Sequence, residues 1–321
     1  MRLARADEAA FQIGRLALGW SREAFEMSEV ERRPGWLDLV LKDIRPIPPL
    51  LVMLFSEAVH HLRAAVENVL FYLTELERGS ALSSRHANAV TMPVKNTRVD
   101  FTAWQQRAVS TGVAELGPNT KLGKRIESLQ PFVDTTASVP SLAPKLAASM
   151  GVRASSMHPM VLLQKYSNTD KHRSLRMAAA RTTVTRDDER FADADRTMRP
   201  VAVGDVLAST RRGGAGTEVE TQAAVHLERP TAGVWVAPGA ELDGMFRHVS
   251  EIVIPTLVKG VALIPSLPPQ IELGDTGVTW AERIAAGGWS TAKQRMDAVS
   301  LAALDEANAT PPKRPRRDPT A

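Results

Sequence analysis

The sequence predicts an α+β protein, with an N-terminal helical bundle, a C-terminal antiparallel sheet and a returning helix. Apolar residues recur at helical spacing through most of the first 175 residues, whereas alternating apolar and polar residues mark strands beyond them. Clusters of Gly and Pro separate these segments. We therefore expect four regions, which are a bundle (1–175), a sheet with its closing helix (176–263), a linker with C-terminal helices (264–309) and a disordered basic tail (310–321).

The central element of the bundle is a long helix over residues 48–78. Pro48 and Pro49 suit its start, because a first-turn proline lacks an N–H that would have no partner there anyway. Gly79 suits its end, because glycine readily adopts the left-handed conformation of a helix cap. At about 100° per residue, the apolar side chains gather on one side, and they are Leu51, Leu54, Phe55, Ala58, Leu62, Ala65, Val66, Val69 and Leu73.

The remaining elements follow from the same two periodicities. Helices are predicted over 6–32, 101–113, 119–129, 142–150, 157–167, 278–287 and 290–308, the last with Ser290 as its cap. Strands are predicted over 36–44, 176–186, 201–210, 218–228 and 234–236, with a turn at Gly213, Gly214 and Gly216. Residues 245–263 are ambiguous, because Val and Ile favour a strand whereas Ser250 and Glu251 favour a helix. We expect a helix there.

Composition excludes several classes of protein. The chain has no cysteine, which rules out disulfides and thiolate metal sites. It has no apolar run of membrane-spanning length and no signal-peptide core at Met1, so we expect a cytoplasmic protein without membrane contact. The tail holds four basic residues against Asp318 and accounts for most of the net charge of +4. Any phosphate-binding surface on the body is therefore a local patch.

The polar face of the central helix carries the first group of candidate functional residues, which are Glu57, His60, His61, Arg63, Glu67 and Asn68. His60, Arg63 and Glu67 are spaced i, i+3 and i+7, so that their side chains stack along one edge of the helix. On a plain amphipathic helix this face would lie in water. If a second element covers it, these residue types are suited to acid–base chemistry or anion binding.

A second polar stretch, Asn168 to Arg173, follows the helix predicted over 157–167. Asn, Thr and Asp are typical of a helix end, because their side chains bond to nearby backbone groups. That explanation covers Asn168 to Asp170, but it leaves Lys171, His172 and Arg173 unexplained. We expect Asp170–Arg173 to fold against the polar face of the central helix and to form a shared ionic cluster.

Common catalytic and cofactor motifs are absent from the sequence. There is no Walker loop, GxGxxG, HExxH or GxSxG. Facing side chains of a bundle can bind metal ions, and the histidines and carboxylates named above are chemically suited to that role. However, no local spacing matches a ligand signature, so we predict neither a metal nor a cofactor.

Four segments, taken in order, resemble a widespread bacterial family of uncharacterised proteins. They are His61–Asn68 (HLRAAVEN), Met92–Val94 (MPV), Ile126–Phe132 (IESLQPF) and Asp170–Arg173 (DKHR). Members of that family carry the segments hNLRsALDHL, fPi, iE.lQPy and DKHR. The resemblance covers about residues 5–260, and it implies no established activity.

The helix motif also resembles the Arg-x4–6-His motif of HEPN-type domains, helical modules of which many are metal-independent ribonucleases acting as dimers. This resemblance implies RNA or another phosphate-bearing ligand as a partner, and also a homodimer. Arg63 would stabilise charge on the scissile phosphate. The motif histidine falls on Asn68, which cannot exchange a proton near pH 7, so that His60, His61 or His172 would have to replace it.

Two functions therefore stay open, and whether the protein is an enzyme is undecided. In the first, Arg63 binds phosphate, His60 and His172 move protons, and Glu57, Glu67 and Asp170 orient them. His61, Asn68, Lys171 and Arg173 would contribute to binding at the same site. In the second, the protein is a non-catalytic helical scaffold or interaction protein of defence or mobile-element origin. Arg63, Glu67 and Asp170 are then structural ion pairs.

Overall fold

The structure is a computed structural model that describes residues 1–149, 153–172, 175–186, 199–211, 219–230, 233–261 and 290–309. Four sequence predictions lie outside these described residues. They are the turn at Gly213, Gly214 and Gly216, the linker over 264–276, the helix over 278–287 and the tail from residue 310. In the described part of the chain, no helix has both the length and the apolar character needed to cross a membrane.

The α+β prediction is confirmed by the order of the elements. The helices are α1 (Arg2–Ser21), α2 (Pro49–Arg78), α3 (Ser84–Ala87), α4 (Arg98–Ser110), α5 (Lys121–Ser128), α6 (Pro144–Ser149), α7 (Pro159–His172), α8 (Pro238–Arg247), α9 (Ile254–Val258) and α10 (Ala292–Ala309). The strands are β1 (Phe25–Arg33), β2 (Trp36–Ile44), β3 (Val139–Pro140), β4 (Ser156–Met157), β5 (Met177–Arg186), β6 (Arg199–Pro200), β7 (Val206–Arg211), β8 (Val219–Glu228) and β9 (Trp235–Val236).

The strands form three antiparallel sheets. One sheet has the order β6-β5-β8-β9, and β3 pairs with β4 in a short two-stranded ladder. The third sheet has the order β1-β2-β7, with Leu39 opposite Ala208. Strand β7 thus comes from the C-terminal half of the chain but completes the N-terminal hairpin.

The helix predicted over 6–32 is wrong in its second half. Helix α1 ends at Ser21, and the residues from Phe25 form strand β1 instead. Pro34 and Gly35 join β1 to β2, and Gly35 has a φ of 77°, which glycine adopts without steric cost. The partner strand β2 supplies backbone hydrogen bonds to this segment, and this pairing decides its conformation.

Helix α2 matches the predicted central helix and lies at the centre of the core. Gly79 caps its C-terminus with a φ of 73°, as predicted. Its apolar face is buried, and the Phe55 ring packs edge-on against Tyr166 of α7 with ring centroids 5.1 Å apart. Helix α1 packs along another part of α2. The long helix therefore determines where α1 and α7 lie.

The ambiguous segment 245–263 is helical as far as Val258, which confirms the helix prediction for that part. Helix α8 begins earlier, at Pro238, and continues through a π-helical turn over His248–Val253 into α9. Pro255 follows that turn after one residue, Ile254. A proline inside a helix removes one backbone hydrogen bond and crowds the preceding turn, so a local widening accommodates it.

Two helix boundaries differ from the predictions because side chains near them make unexpected contacts. Helix α7 continues beyond residue 167 to His172, and the Asp170 carboxylate accepts a hydrogen bond from Ser56 of α2. At α10 the cap is Thr291 and not Ser290. The Thr291 hydroxyl accepts from Gln294 N–H at 3.3 Å, and the Gln294 side chain accepts from Thr291 N–H at 2.8 Å. This reciprocal pair is a capping box.

A buried ion pair ties the end of β8 to α8. Arg229 and Glu241 have side chains only 1% exposed, and the Arg229 Nη2–Glu241 Oε2 distance is 2.7 Å. Arg229 also donates to the Val139 carbonyl at 3.0 Å, and the Tyr166 hydroxyl donates to Glu241 at 3.0 Å. Because each charge has several partners, the pair fixes β3, α7 and α8 relative to one another.

We expect Glu241→Gln to reduce the free energy of unfolding by about 3–5 kcal/mol, because it leaves the Arg229 guanidinium buried without a counter-charge. Denaturant unfolding followed by circular dichroism measures this change. Glu23→Gln is the control, since the Glu23 side chain is 78% exposed in its pair with Arg45, and there we expect less than about 0.5 kcal/mol. Equal losses in the two variants would contradict a special role for the buried pair.

His226 of β8 should make stability depend on pH. It is buried, and burial lowers its pKa below the ordinary value of 6.5. The unfolded chain therefore binds a proton at higher pH than the folded chain, and the free energy of unfolding falls as pH drops below about 6.5. We expect His226→Phe to show a shallower fall than the wild type. His60→Gln, which changes an exposed histidine, should keep the wild-type slope.

Candidate functional site

The structure brings part of the Asp170–Arg173 stretch onto helix α2. Ser56 Oγ donates a hydrogen bond to Asp170 Oδ2 at 2.5 Å, and Ser56 lies one turn before His60 on the same stripe of the helix. Lys171 lies close enough for its charge to act on the Glu67 carboxyl. Two distant parts of the sequence therefore meet along one edge of α2.

Arg63 and Glu67 hold a loop segment against this edge. Arg63 Nη2 lies 2.5 Å from Glu67 Oε1 and donates to the Met92 carbonyl oxygen at 2.7 Å. Met92 N–H in turn donates to Glu67 Oε2 at 2.8 Å. Both backbone groups of Met92 are thus bound by one ion pair, and the Met92 side chain is buried beneath it. We call Arg63, Glu67 and Met92 the clamp.

The clamp leaves little of Arg63 free for a ligand. The Arg63 and Glu67 side chains are 20% and 25% exposed. Arg63 Nη1 is buried and has no hydrogen-bond partner within the described residues. Burial is the main influence on the Glu67 pKa and raises it, while Arg63 beside it acts in the opposite direction. A phosphate would reach the guanidinium only if the clamp opened.

His61 belongs to a different set of contacts, on the side of α2 that faces α1. Its Nδ1 lies 3.0 Å from Arg2 Nη1, and its Nε2 lies 3.4 Å from Glu57 Oε1. Burial and then the Arg2 charge lower the pKa of His61, against the opposing effect of Glu57. The neutral imidazole is therefore the favoured form. His61 links α2 to the start of α1 and does not face α7.

The other predicted site residues are exposed or lie outside the described part of the structure. His60 is exposed, with its ring centroid 5.9 Å from that of His61, and Asn68 is exposed on the next turns of the same helix. Helix α7 ends at His172, whose side chain is not among the described atoms, and Arg173 is not described. A proton-transfer role for His172 therefore stays a prediction.

A second cluster of titratable side chains was missed by the sequence analysis. It consists of Asp134, His158 and His248, whose candidate ligand atoms all lie within 4.8 Å of one another. Asp134 follows α5, His158 immediately precedes α7, and His248 opens the π-helical turn. The His158 and His248 rings meet edge-on with centroids 5.2 Å apart. We call this group the histidine cluster.

The two imidazoles of the histidine cluster do not have hydrogen-bond partners for all of their ring nitrogen atoms among the described residues. His158 Nδ1 accepts from Met160 N–H at 3.2 Å, while its Nε2 lies 3.7 Å from Asp134 Oδ2. The Nε2 atoms of both histidines are buried and have no hydrogen-bond partner within the described residues. Burial lowers the pKa of His158, and burial together with the neighbouring His158 lowers that of His248 to about 4.

A cavity of about 640 Å³ borders the histidine cluster. Its wall includes charged side chains from α8 and the π-helical turn beside His248, namely Asp243, Arg247 and Glu251. This volume falls in the range of small-molecule sites, which is about 300–1,000 Å³. The cluster therefore has space next to it for a ligand or for solvent.

No short sequence motif could have revealed this cluster, because its three residues come from distant parts of the chain. His158-Pro159 indicates only the start of a helix. His248 lies in an apolar run that gives no sign of a partner. The available signal was the presence of two histidines, which is a weak indicator in a single sequence.

Comparisons with known proteins assign no family to the chain. No family model matches it, and no curated protein or solved structure shows significant similarity to it. The clamp and the histidine cluster are therefore the features of the structure that bear on function.

The clamp predicts a graded effect of substitutions at Glu67. We expect Glu67→Ala to lower the free energy of unfolding by about 1–3 kcal/mol, because the Met92 N–H and Arg63 both lose a partner. Glu67→Gln should cost less, since an amide oxygen can still accept from Met92 N–H. Asn68→Ala, at the neighbouring exposed position, is the matched control and should change little.

Chemical denaturation of the three variants measures this order. If Glu67→Ala is no more destabilising than Asn68→Ala, the clamp contributes nothing to the fold, and the account of Arg63 as a structural group loses its basis.

Proposed function

We propose that this protein is a non-catalytic helical scaffold that acts by binding other macromolecules, and that Arg63 is a structural residue in it. One observation carries the proposal. The Arg63 guanidinium is bound to Glu67 and to the Met92 carbonyl, and its remaining terminal nitrogen is buried. A catalytic arginine needs donors directed at the position where charge develops on the substrate.

The carboxylates expected to orient a catalytic histidine have other partners. Glu57 lies beside His61, Glu67 beside Arg63, and Asp170 accepts from the Ser56 hydroxyl. A general base is held in the correct orientation by a partner of its own, as in known catalytic triads. His60 is exposed, and within the described residues none of these three carboxylates forms a hydrogen bond or ion pair with it. These contacts favour a supporting role for the polar residues.

Binding surface is available on the solvent side of α2. Leu50 and Met53 are exposed at its start, Met53 to 65%, and Tyr72 is exposed near its end. His60 and Asn68 lie exposed between them. A mixture of polar residues with exposed aromatic, Met and Leu side chains suits a non-obligate protein interface. In this proposal the partner is a protein in the cytoplasm, a second copy of the chain being one candidate.

The HEPN-like resemblance supplies the second candidate function, an RNA- or phosphate-binding enzyme. Two observations support it. Arg63 Nη1 has an unused donor within the described residues, and Lys171 is exposed near the same edge of α2. For this function the clamp would have to open when RNA binds, so that Arg63 exchanges Glu67 for a phosphate.

Incubation of the purified protein with labelled RNA distinguishes the two functions. We expect no RNA cleavage by the wild type, and none by Arg63→Ala, His60→Gln or His172→Ala. Arg107→Ala, which removes an exposed arginine on α4, is the matched control for loss of one positive charge. Arg63→Ala should differ from it by a loss of stability, measured by thermal unfolding.

Cleavage by the wild type that is lost in folded Arg63→Ala but kept in Arg107→Ala would overturn the scaffold proposal. Tight RNA binding whose affinity falls steeply with salt, without cleavage, would identify RNA as the partner instead of a protein.

A further inference from the structure

The geometry points to a binding site for one divalent transition-metal ion at Asp134, His158 and His248. This site is separate from the clamp, and the inference does not depend on the scaffold proposal. It rests on the positions of the three side chains, on two buried Nε2 atoms that have no hydrogen-bond partner among the described residues, and on the cavity beside them.

The three side chains come from three different parts of the fold and converge on one point. Their candidate ligand atoms lie within 4.8 Å of one another, and His158 Nε2 is 3.7 Å from Asp134 Oδ2. Zinc bonds to histidine nitrogen and carboxylate oxygen at about 2.0–2.2 Å, so ligand atoms around one ion lie slightly more than 3 Å apart. Small side-chain rotations would bring the three atoms to that spacing.

The unpaired nitrogen atoms give the second argument. His158 and His248 each bury an Nε2 atom for which the described residues provide no hydrogen-bond partner. The His158 side chain is only 9% exposed. Unpaired buried polar atoms are rare because they are costly, and an unfilled ion site is one of the recognised explanations. His158 Nε2 lies 3.7 Å from Asp134 Oδ2, and His248 belongs to the same group of candidate ligands, which fits that explanation.

Metal binding at His158 would be coupled to the start of α7. Because Nδ1 accepts from Met160 N–H, the proton of the neutral ring lies on Nε2. Coordination through Nε2 requires that proton to move to Nδ1, which ends the bond to Met160 N–H. The ring loses its Nε2 proton and gains one at Nδ1, so this exchange releases no net proton. We therefore expect metal binding to change the environment of the Met160 amide.

The donor set selects the class of ion. Imidazole nitrogen is a common ligand of zinc, iron, copper and nickel, whereas magnesium and calcium prefer sites made entirely of oxygen atoms. Three protein ligands leave at least one coordination position open, as in catalytic rather than structural zinc sites. The cavity of about 640 Å³ adjoins the cluster, so water or a small ligand can fill that position.

Titration of the full-length, metal-free protein with Co²⁺ and Zn²⁺ tests the inference. We expect one equivalent of Zn²⁺ by calorimetry and the visible absorption bands of Co²⁺ with nitrogen and oxygen ligands. The variants His158→Gln, His248→Gln and Asp134→Asn should each weaken binding by more than about 100-fold, since loss of even an outer partner of a metal ligand costs 10–100-fold. His60→Gln is the matched control for loss of one histidine, and it should keep the wild-type affinity.

Two further measurements keep the test decisive. The ¹H–¹⁵N resonance of Met160 should shift on Zn²⁺ addition in the wild type and not in His158→Gln. Circular dichroism checks that each variant is folded. If the histidine variants do not fold, Asp134→Asn alone tests the site, because Asp134 lies in a loop and is partly exposed. Absence of stoichiometric binding, or equal binding in folded Asp134→Asn, would show that the cluster is not a metal site.

Discussion

Burial of the apolar face of α2 is the interaction on which the rest of the structure depends. This helix has about eight turns, and it packs against elements from both halves of the chain, from α1 through α7 to α8. Deletion of a single large side chain from such a core costs about 2–5 kcal/mol, a substantial part of the total stability of a typical domain. The positions of α7 and of the loop before α4 follow from how they fit against α2, where Asp170 of α7 bonds to Ser56 and the loop supplies Met92 to the clamp.

A second constraint comes from charged groups that this packing takes out of water. Three ion pairs are buried to different degrees, and they are Arg229–Glu241, Arg295–Asp7 and Arg63–Glu67. In every case the charges also bond to backbone groups of another segment, such as Val139, Ala292 or Met92. An ion pair that also binds backbone groups of a loop positions that loop as well as compensating its own desolvation. By the same standard the histidine cluster differs, because the Nε2 atoms of His158 and His248 are buried and have no hydrogen-bond partner among the described residues.

The sequence predictions are correct where a local pattern of residues determines the structure. The bounds of α2 could be predicted because two prolines, a glycine and a long apolar stripe all agree. Strand β1 could not be predicted in this way. Its conformation comes from pairing with β2, and its largely exposed residues show no strong periodicity of apolar side chains. The contact of Asp170 with α2 was expected, but its partner Ser56 was not, since a serine on a helix has many other roles. The histidine cluster was missed because its members share no segment, and only the folded chain brings them together.

The place of β7 has a consequence for synthesis on the ribosome. Strand β2 emerges early, yet its second neighbour, β7, is translated far later, and the Ser209 hydroxyl that binds Asp38 arrives with it. Until then one edge of the hairpin offers unpaired backbone groups, which are prone to pair with strands of other chains. Contacts between such distant residues also slow folding. During translation, this protein therefore depends most on protection from aggregation while β2 has emerged and β7 has not.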